Sequence, residues 1–518
     1  MNLFPAIKID GEIIQGGKTD SHGTIAIEKG LPLTPDASHG FTPAGSNIFL
    51  SRKQAPSWIK QYEPRVFAKL GTLPKEGLHS HIYARAKGIK QRDITDTVDL
   101  STKTCIVFDR GGLYSYRAQD LGKEYGKVFY YIPDALSFPE SPKYRMGTGL
   151  PEIERINDKK FWKELKKADI IIFPDTYDGS FQNYLREEGH TVLGSGLCEK
   201  LEIDKAYFLD ALTRVGLPVT KTKLVSGIDD LMAQIDGKNK KWLKGLYRGD
   251  FETRSAEDID QLKNWLDHEL VPRLGEGSKT IKILVQDHIK SDAEAGYDGL
   301  MIDGECLDDC LIGYEVKDEA YVCKVFDKVP AIIKNVNDKM VSEFKKLGKY
   351  RGEYSTELRI TEDGTAYYTD ATCRIPSPPG ELLSNICSNY NKATFLVAKG
   401  LKPKLTWKAK FGAEIMLTSS WYEKNPLIVK FPEEIYDRVK LKMHLKENGH
   451  HTCIPNGNGN AFGAVIAWAD TKEKAIEECM KIAEQIQCEE YQHKGGEGTF
   501  KKANDAIEAG ARHGIDFS

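Results

Sequence analysis

Residues Tyr350 to Arg374 read YRGEYSTELRITEDGTAYYTDATCR, with acids and arginines at alternate positions on both sides of Asp363-Gly364. Asp-Gly is a strong signal for a two-residue hairpin turn. Pairing outward from that turn sets Glu362 opposite Thr365, Ile360 opposite Tyr367, Arg359 opposite Tyr368 and Glu357 opposite Asp370. Ser355 then meets Thr372, and Glu353 meets Arg374. Side chains alternate along a strand, so Glu353, Ser355, Glu357, Arg359, Tyr368, Asp370, Thr372 and Arg374 share one face. The other face, from Tyr354, Thr356, Leu358 and Ile360 to Tyr367, Thr369, Ala371 and Cys373, suits a core. Directly opposed carboxylates at Glu357 and Asp370 destabilise a ladder unless something positive lies between them. Mg²⁺ suits that place, because it takes one or two carboxylates together with substrate phosphates. A solvated polar face, with Arg359 and Arg374 neutralising the acids, is the other reading the hairpin allows.

Other stretches carry groups suited to a phosphorylated ligand. Lys205 stands early in a helix after LGSGLCEKLEID; a helical lysine is ordinarily just solvated. Lys244 lies in KWLKGLYRGDFETRS, where a strand runs into a polar loop containing Gly249. An ammonium beside backbone N–H groups of such a loop faces anions well. Arg248 in that loop reads as a ligand contact, whereas Asp250, Glu252 and Arg254 carry no preference. The strand IKILVQDHI ends in Gln286, Asp287, His288 and Ile289. Its edge offers backbone donors and acceptors to an adenine and a carboxylate to a ribose, although any strand end has this form.

The elements that must hold these groups can be read from periodicity. Residues 1–100 are turn-rich, with short strands such as AIKIDGEII, and read as a small α+β appendage. From 101 to 200, apolar strands alternate with amphipathic helices, which indicates a parallel α/β sheet. EIDKAYFLDALTRVG is a helix ended by Gly216 and Pro218. Residues 218–290 form a smaller α+β unit that contains the polar RGDFET loop. Strand-like segments lead to the hairpin, and one helix is expected through LLSNICSNYNKATFLVAKG. Residues 406–518 read as a small C-terminal α+β unit. The expected class is therefore a multidomain α/β and α+β protein.

Lysine, lysine with loop, polar strand end and paired acids occur here in the order found in the ATP-grasp superfamily. The chain resembles ATP-grasp carboxylate–amine ligases, and within them is most similar to phosphoribosylamine–glycine ligases. LGSGLCEKLEIDKAYFLDALTRVGLPVT and GAVIAWADTKEKAIEECMKIAEQI carry the resemblance besides the hairpin, which matches the superfamily's metal signature. The likeness covers about 103–490, with gaps. It implies a pre-ATP-grasp α/β domain at 101–200, a two-lobed ATP-grasp domain at 201–405 in which 218–290 is a mobile lid whose RGDFET loop closes over phosphates, and a C-terminal domain at 406–518. It implies that Lys205, Lys244 and Arg248 contact ATP, that Gln286, Asp287 and Ile289 hold adenine and ribose, and that Glu357, Asp370 and Thr372 bind Mg²⁺ or Mn²⁺. Arg374 and Arg359 would stabilise the moving phosphoryl group. A small carboxylate and an amine would be joined through an acyl-phosphate. Two features depart from the pattern. Thr372 stands where the superfamily usually has Asn, and CIVFDRGGLYSYRAQ replaces the glycine ligases' Gly-Gly-Arg-Glu-His turn. SHGFTPAGSNIFLSRKQAPSWIK and LHSHIY faintly resemble a module of often phage-encoded proteins.

Bulk properties exclude some classes. The chain has 518 residues, is 40% hydrophobic and 29% charged, and has net charge −3, which gives no electrostatic case for nucleic acid or an anionic membrane. No apolar run is long enough for a transmembrane helix. No secretory signal is read, and the ten scattered cysteines without a C-x-x-C pair are expected as free thiols in the cytoplasm. His22, His39, His79 and His81 form no recognisable metal spacing, and neither do His444, His450, His451 and Cys453. NGHHTCIPNGNGN reads as a Gly/Asn-rich loop near the active-site mouth, and PSPPGE as a contact for the acceptor substrate. The oligomeric state is left open.

Overall fold

A computed structural model describes residues 95–133, 146–251, 253–455 and 459–518, together with short strands between Ile7 and Thr42. Ile7–Ile9 pairs antiparallel with Glu12–Ile14, within the AIKIDGEII stretch. The other features expected in the first 94 residues, including His22, His39, His79 and His81, lie outside the described residues.

The first unit is the expected parallel sheet. Its order is Val192–Leu193, Ile170–Ile172, Thr104–Phe108, Lys127–Tyr131 and Glu154–Ile156, with every neighbouring pair parallel. TCIVF and III are buried almost throughout, as strands covered on both faces must be. The strand order reverses between Thr104–Phe108 and Ile170–Ile172. Ligand crevices in such sheets open beyond the carboxyl ends of the strands at that switch point. The loops leaving those two strands carry Asp109, Arg110, Asp175 and Tyr177.

Residues 218–290, expected as a lid, contain a four-stranded antiparallel sheet, in order Thr222–Ser226, Lys282–Asp287, Lys241–Gly245 and Arg254–Ala256. Val225, Leu231, Leu243, Leu262, Trp265, Ile283 and Val285 give it a core of its own.

The body is a large sheet ordered Ala293–Ala295, Arg351–Ile360, Asp298–Ile302, Cys310–Val316, Ala320–Phe326, Phe411–Ser419, Ala461–Ala469 and Val439–Leu441, with Ala366–Thr372 beside Arg351–Ile360. The sheet continues without a break where the C-terminal unit was expected to begin, because Ala320–Phe326 pairs with Phe411–Ser419. The helix expected through LLSNICSNYNKATFLVAKG is two helices, Gly380–Ile386 and Tyr390–Ala398. Cys387 between them is extended and bridges to Trp407, and Asn389 Oδ1 accepts from Thr406 N–H at 3.0 Å. Most of the NGHHTC segment is not loop but strand, His450–Cys453. His444 Nε2 and His451 Nδ1 lie 2.9 Å apart there, and burial pushes the His451 imidazole down to about 4.

Glu414 stands in the middle of Phe411–Ser419, fully buried, with no side-chain hydrogen-bond partner for either carboxylate oxygen among the described residues and the Leu382 backbone beside it. Burial, and the charge of Glu381, push it well above the ordinary carboxylate range. The native state thus keeps a proton that the unfolded chain releases. The resulting stability is fully present below the ordinary value of 4.5 and is lost as pH rises. Glu414→Gln, of the same shape and always neutral, is expected to stabilise the protein by about 1–3 kcal/mol at pH 8 and hardly at all at pH 4. Thermal midpoints at the two pH values check this; equal shifts at both would contradict it.

Candidate active site

The hairpin pairs as expected over its outer half, with Ser355 opposite Thr372 and Glu357 opposite Asp370. Nearer the turn it does not. Leu358 faces Tyr368, Arg359 faces Tyr367 and Ile360 faces Ala366. The turn is one residue longer than a two-residue loop. Thr361 N–H donates to Thr365 O at 3.0 Å, and Gly364 has φ +80°, the left-handed conformation of a three-residue hairpin loop. A bulge at Thr369 then restores the register before Asp370. The expected faces change accordingly. Tyr368 is buried in the core and also borders the cleft, which Tyr367 and Thr369 line beside the acids. Glu353 lies at the buried end of the stripe, where the Tyr390 hydroxyl donates to it at 3.3 Å.

A cleft of about 230 Å³ separates the lid from the hairpin. Seven of the candidate residues line it: Lys244, Gln286, Asp287, Ile289, Glu357, Arg359 and Asp370. Each is placed by its element. Lys244 and Gln286 come from neighbouring lid strands, and Glu357, Arg359 and Asp370 from the hairpin. Lys205 opens the helix Lys205–Arg214, which is capped by Asp204 accepting from Tyr207 N–H at 2.9 Å. Its ammonium contacts Asp370 from outside the lining set.

The charges are unequally matched. Burial works against the Lys205 ammonium, yet Asp370 outweighs it and raises the lysine above its ordinary value. Burial opposes charge on Asp370 too, but Lys205 and Lys244 hold it below the ordinary carboxylate range. Among the described residues Lys244 donates only to Thr369 O, at 3.2 Å, and burial with the nearby Lys205 lowers its pKa. The cleft therefore holds an under-neutralised ammonium. Glu357 accepts from Thr369 Oγ1 at 2.8 Å and remains 45% exposed to the cleft, leaving an oxygen for a cation.

Glu357 and Asp370 fit an oxygen-seeking ion, standing opposite one another in register with both carboxylates in the cleft. Among the described residues no group of three or more His, Cys, Asp or Glu side chains gathers closely enough to hold an ion unaided. Two carboxylates that leave further positions to phosphates and water are what Mg²⁺ uses. Thr372, opposite Ser355, does not line the cleft.

Arg248 and Arg374 stand apart from the cleft, next to the switch point of the first sheet. Arg374 Nε lies 2.8 Å from Glu202 Oε1 and 3.7 Å from Asp175 Oδ1. Arg248 Nε lies 3.0 Å from the same Glu202 oxygen and its Nη1 3.1 Å from Asp175 Oδ1. Arg248 O also accepts from the Tyr177 hydroxyl at 2.8 Å. Tyr177 has φ +79°, a strained conformation for a bulky residue. The lid loop is thereby latched to the first unit. Asp287 is likewise engaged, 2.6 Å from Lys241 Nζ directly across the lid sheet.

Several lining residues were not read from the sequence. Leu209, Leu212, Pro218 and Val219 form an apolar wall, and Trp242 lies opposite Gln286. Glu294 and Glu315 bring two more carboxylates, each pushed up to about 7 by burial and then by the charge of Glu357. Glu294 pairs with Arg359 at 3.1 Å, and the Arg359 guanidinium lies 5.6 Å from the Trp242 ring centre.

No family model and no curated protein matches the sequence. Solved structures do match the fold. Phosphoribosylamine–glycine ligase from Thermotoga maritima aligns over 76% of this chain and 99% of that one, with TM-score 0.57 and 16% identity. The biotin carboxylase domain of Hydrogenobacter thermophilus 2-oxoglutarate carboxylase, solved with MgADP and bicarbonate, aligns over 80% and 99%, with TM-score 0.56 and 14% identity. Campylobacter jejuni biotin carboxylase, solved with a nucleotide, aligns over 79% and 99%, with TM-score 0.56 and 15% identity. At these identities the likeness establishes the fold. The chain shares the fold of these structures, the ATP-grasp fold expected from the sequence.

Proposed function

We propose that the protein is an ATP-dependent ligase that joins a small carboxylate to an amine, releasing ADP and phosphate. One observation carries this reading: Glu357 and Asp370 face each other across the hairpin and share a cleft with Lys244 under a separate lid. In this reading 201–405 is the catalytic domain and 218–290 its lid. Lys205 and Lys244 hold the phosphates. The strand end from Gln286 to Ile289 takes adenine, and Trp242 with the Leu209–Leu212 wall packs against it. Asp287 and Glu294 are the carboxylates available to the ribose. Glu357 and Asp370 would hold Mg²⁺, which when bound supplies positive charge to the phosphate oxygens.

The substrate carboxylate attacks the γ-phosphorus and ADP leaves, giving an acyl-phosphate. The amine attacks the acyl carbon, phosphate leaves, and the nitrogen loses a proton. No side-chain nucleophile takes part. Lys244, Lys205 and Arg359 stabilise charge where it develops, Arg374 and Arg248 stand at the acceptor end, and lid closure excludes water. ADP and phosphate release from Mg·ATP, with pooled small carboxylates and amines, tests the reaction. Release that requires both pools is expected; release requiring neither would contradict ligation. Placement of Thr372 outside the cleft favours a second reading, a nucleotide-binding relative without turnover.

Trp242 supplies an early readout. ATP is expected to change its fluorescence, and Trp242→Ala to weaken ATP binding by about tenfold through lost ring contact. Unchanged affinity in the variant would remove Trp242 from the adenine wall.

A further inference from the structure

The lid joins the body through two stems that run side by side. One passes from the helix Lys205–Arg214 through Pro218 to Lys221; the other passes from the strand Lys282–Asp287 to the strand Ala293–Ala295. They are tied together, Asp287 N–H donating to Lys221 O at 2.9 Å and Thr220 Oγ1 to Asp287 O at 3.0 Å. Asp292 fastens the second stem to the body. Its N–H donates to Ile360 O at 2.7 Å. Its carboxylate accepts from Arg512 Nη2 at 2.6 Å and Nε at 3.2 Å, and lies 2.8 Å from His513 Nε2.

Arg512 and His513 come from far along the chain. They follow the last helix, Glu497–Ala511, and precede Ile515 and Phe517, both buried in the body core. Phe517 packs against Tyr314, Phe326 and Phe411, so the tail is a fixed anchor. His513 is itself only 8% exposed. Two residues beyond Asp292, Glu294 lies opposite Arg359 and reaches the cleft.

We propose that Arg512 and His513 are positioning residues for the nucleotide. Arg512 and His513, acting through Asp292, fix the pivot at which the lid leaves the body and set Glu294 and Arg359 in the cleft wall. Neither touches the ligand. The inference rests on the ATP reading of the cleft. Without the pin, the second stem gains freedom and the closed arrangement is less populated. Apparent affinity falls by the lost fraction, while turnover from the closed complex is preserved.

Calorimetric titration of the full chain with Mg·ATP tests this. Arg512→Ala/His513→Ala is expected to weaken binding about fivefold to tenfold, and Arg512→Lys to restore part of it. Asp292→Asn should give the same loss and add nothing to Arg512→Ala. Lys324→Ala, which touches the tail only at Asp516 and Ser518, should bind as wild type. If the double variant does not fold, Arg512→Lys and Asp292→Asn carry the test. Wild-type binding with unchanged affinity in the pin variants, even at a lowered thermal midpoint, would show a structural brace only and overturn the proposal. No binding by the wild type would instead remove the nucleotide reading, and the pin with it.

Discussion

Asp370→Asn is expected to lower ATP turnover by about 10³-fold or more, and Glu357→Gln by a similar factor. The two carboxylates stand opposite each other in register, and a ladder gains nothing from that pairing by itself. In the proposed reading their value lies in a cation shared with the phosphates. Removing either charge halves the protein's anionic share of that site. The two variants should differ in stability. Asp370 is the partner of the buried Lys205, so its loss leaves an ammonium under-compensated and lowers the thermal midpoint. Glu357 is 45% exposed and more loosely engaged, so Glu357→Gln should melt close to wild type. Turnover within tenfold of wild type in both variants would contradict the metal assignment.

Lys244→Met is expected to cost about 10²-fold in turnover with ATP, and to do so without loss of stability. A lysine on a strand beside a phosphate is a point charge that the protein must desolvate to use. Lys244 is in that condition. Its only hydrogen bond among the described residues is to Thr369 O, and burial and Lys205 both disfavour its charge. An arriving polyphosphate relieves the strain, so binding and charge are coupled. Methionine keeps the stem's packing and removes the repulsion. The thermal midpoint without nucleotide should stay the same or rise, while the rise on adding Mg·ATP should shrink. A variant that melts lower and still turns over normally would make Lys244 structural. Steady-state rates and melting curves with and without nucleotide separate the two outcomes.

Much of the site was legible because it is local. Alternation and an Asp-Gly turn were enough to oppose Glu357 and Asp370, although the opposition rests on two errors that cancel. The loop is one residue longer than expected, and the bulge at Thr369 returns the strand to register. Nothing in the letters TAYYTDAT marks that bulge, so Tyr367 and Tyr368 were given to the wrong faces. Lys244, Gln286 and Asp287 were read from strand ends, which periodicity locates well. Glu294 and Glu315 were not, since they reach the cleft from other strands of a sheet whose neighbours are far apart in sequence. Arg248 shows a different limit. Its loop was correctly read as polar and Gly-bearing, but its partners Asp175 and Glu202 come from outside the lid, and only tertiary structure brings them together. The helix broken at Cys387 is of the same kind, because the bridge to Trp407 overrides a helical pattern.

The proposed function stands on a Mg·ATP site in the cleft between the lid and the hairpin. Titrating the full chain with ATP in a calorimeter, with Mg²⁺ and then with excess chelator, tests it most directly. One site per chain is expected, with binding strengthened by Mg²⁺, and loss of that strengthening in Glu357→Gln and Asp370→Asn. No binding of ATP at any Mg²⁺ concentration would contradict it, as would binding that the two substitutions leave unchanged.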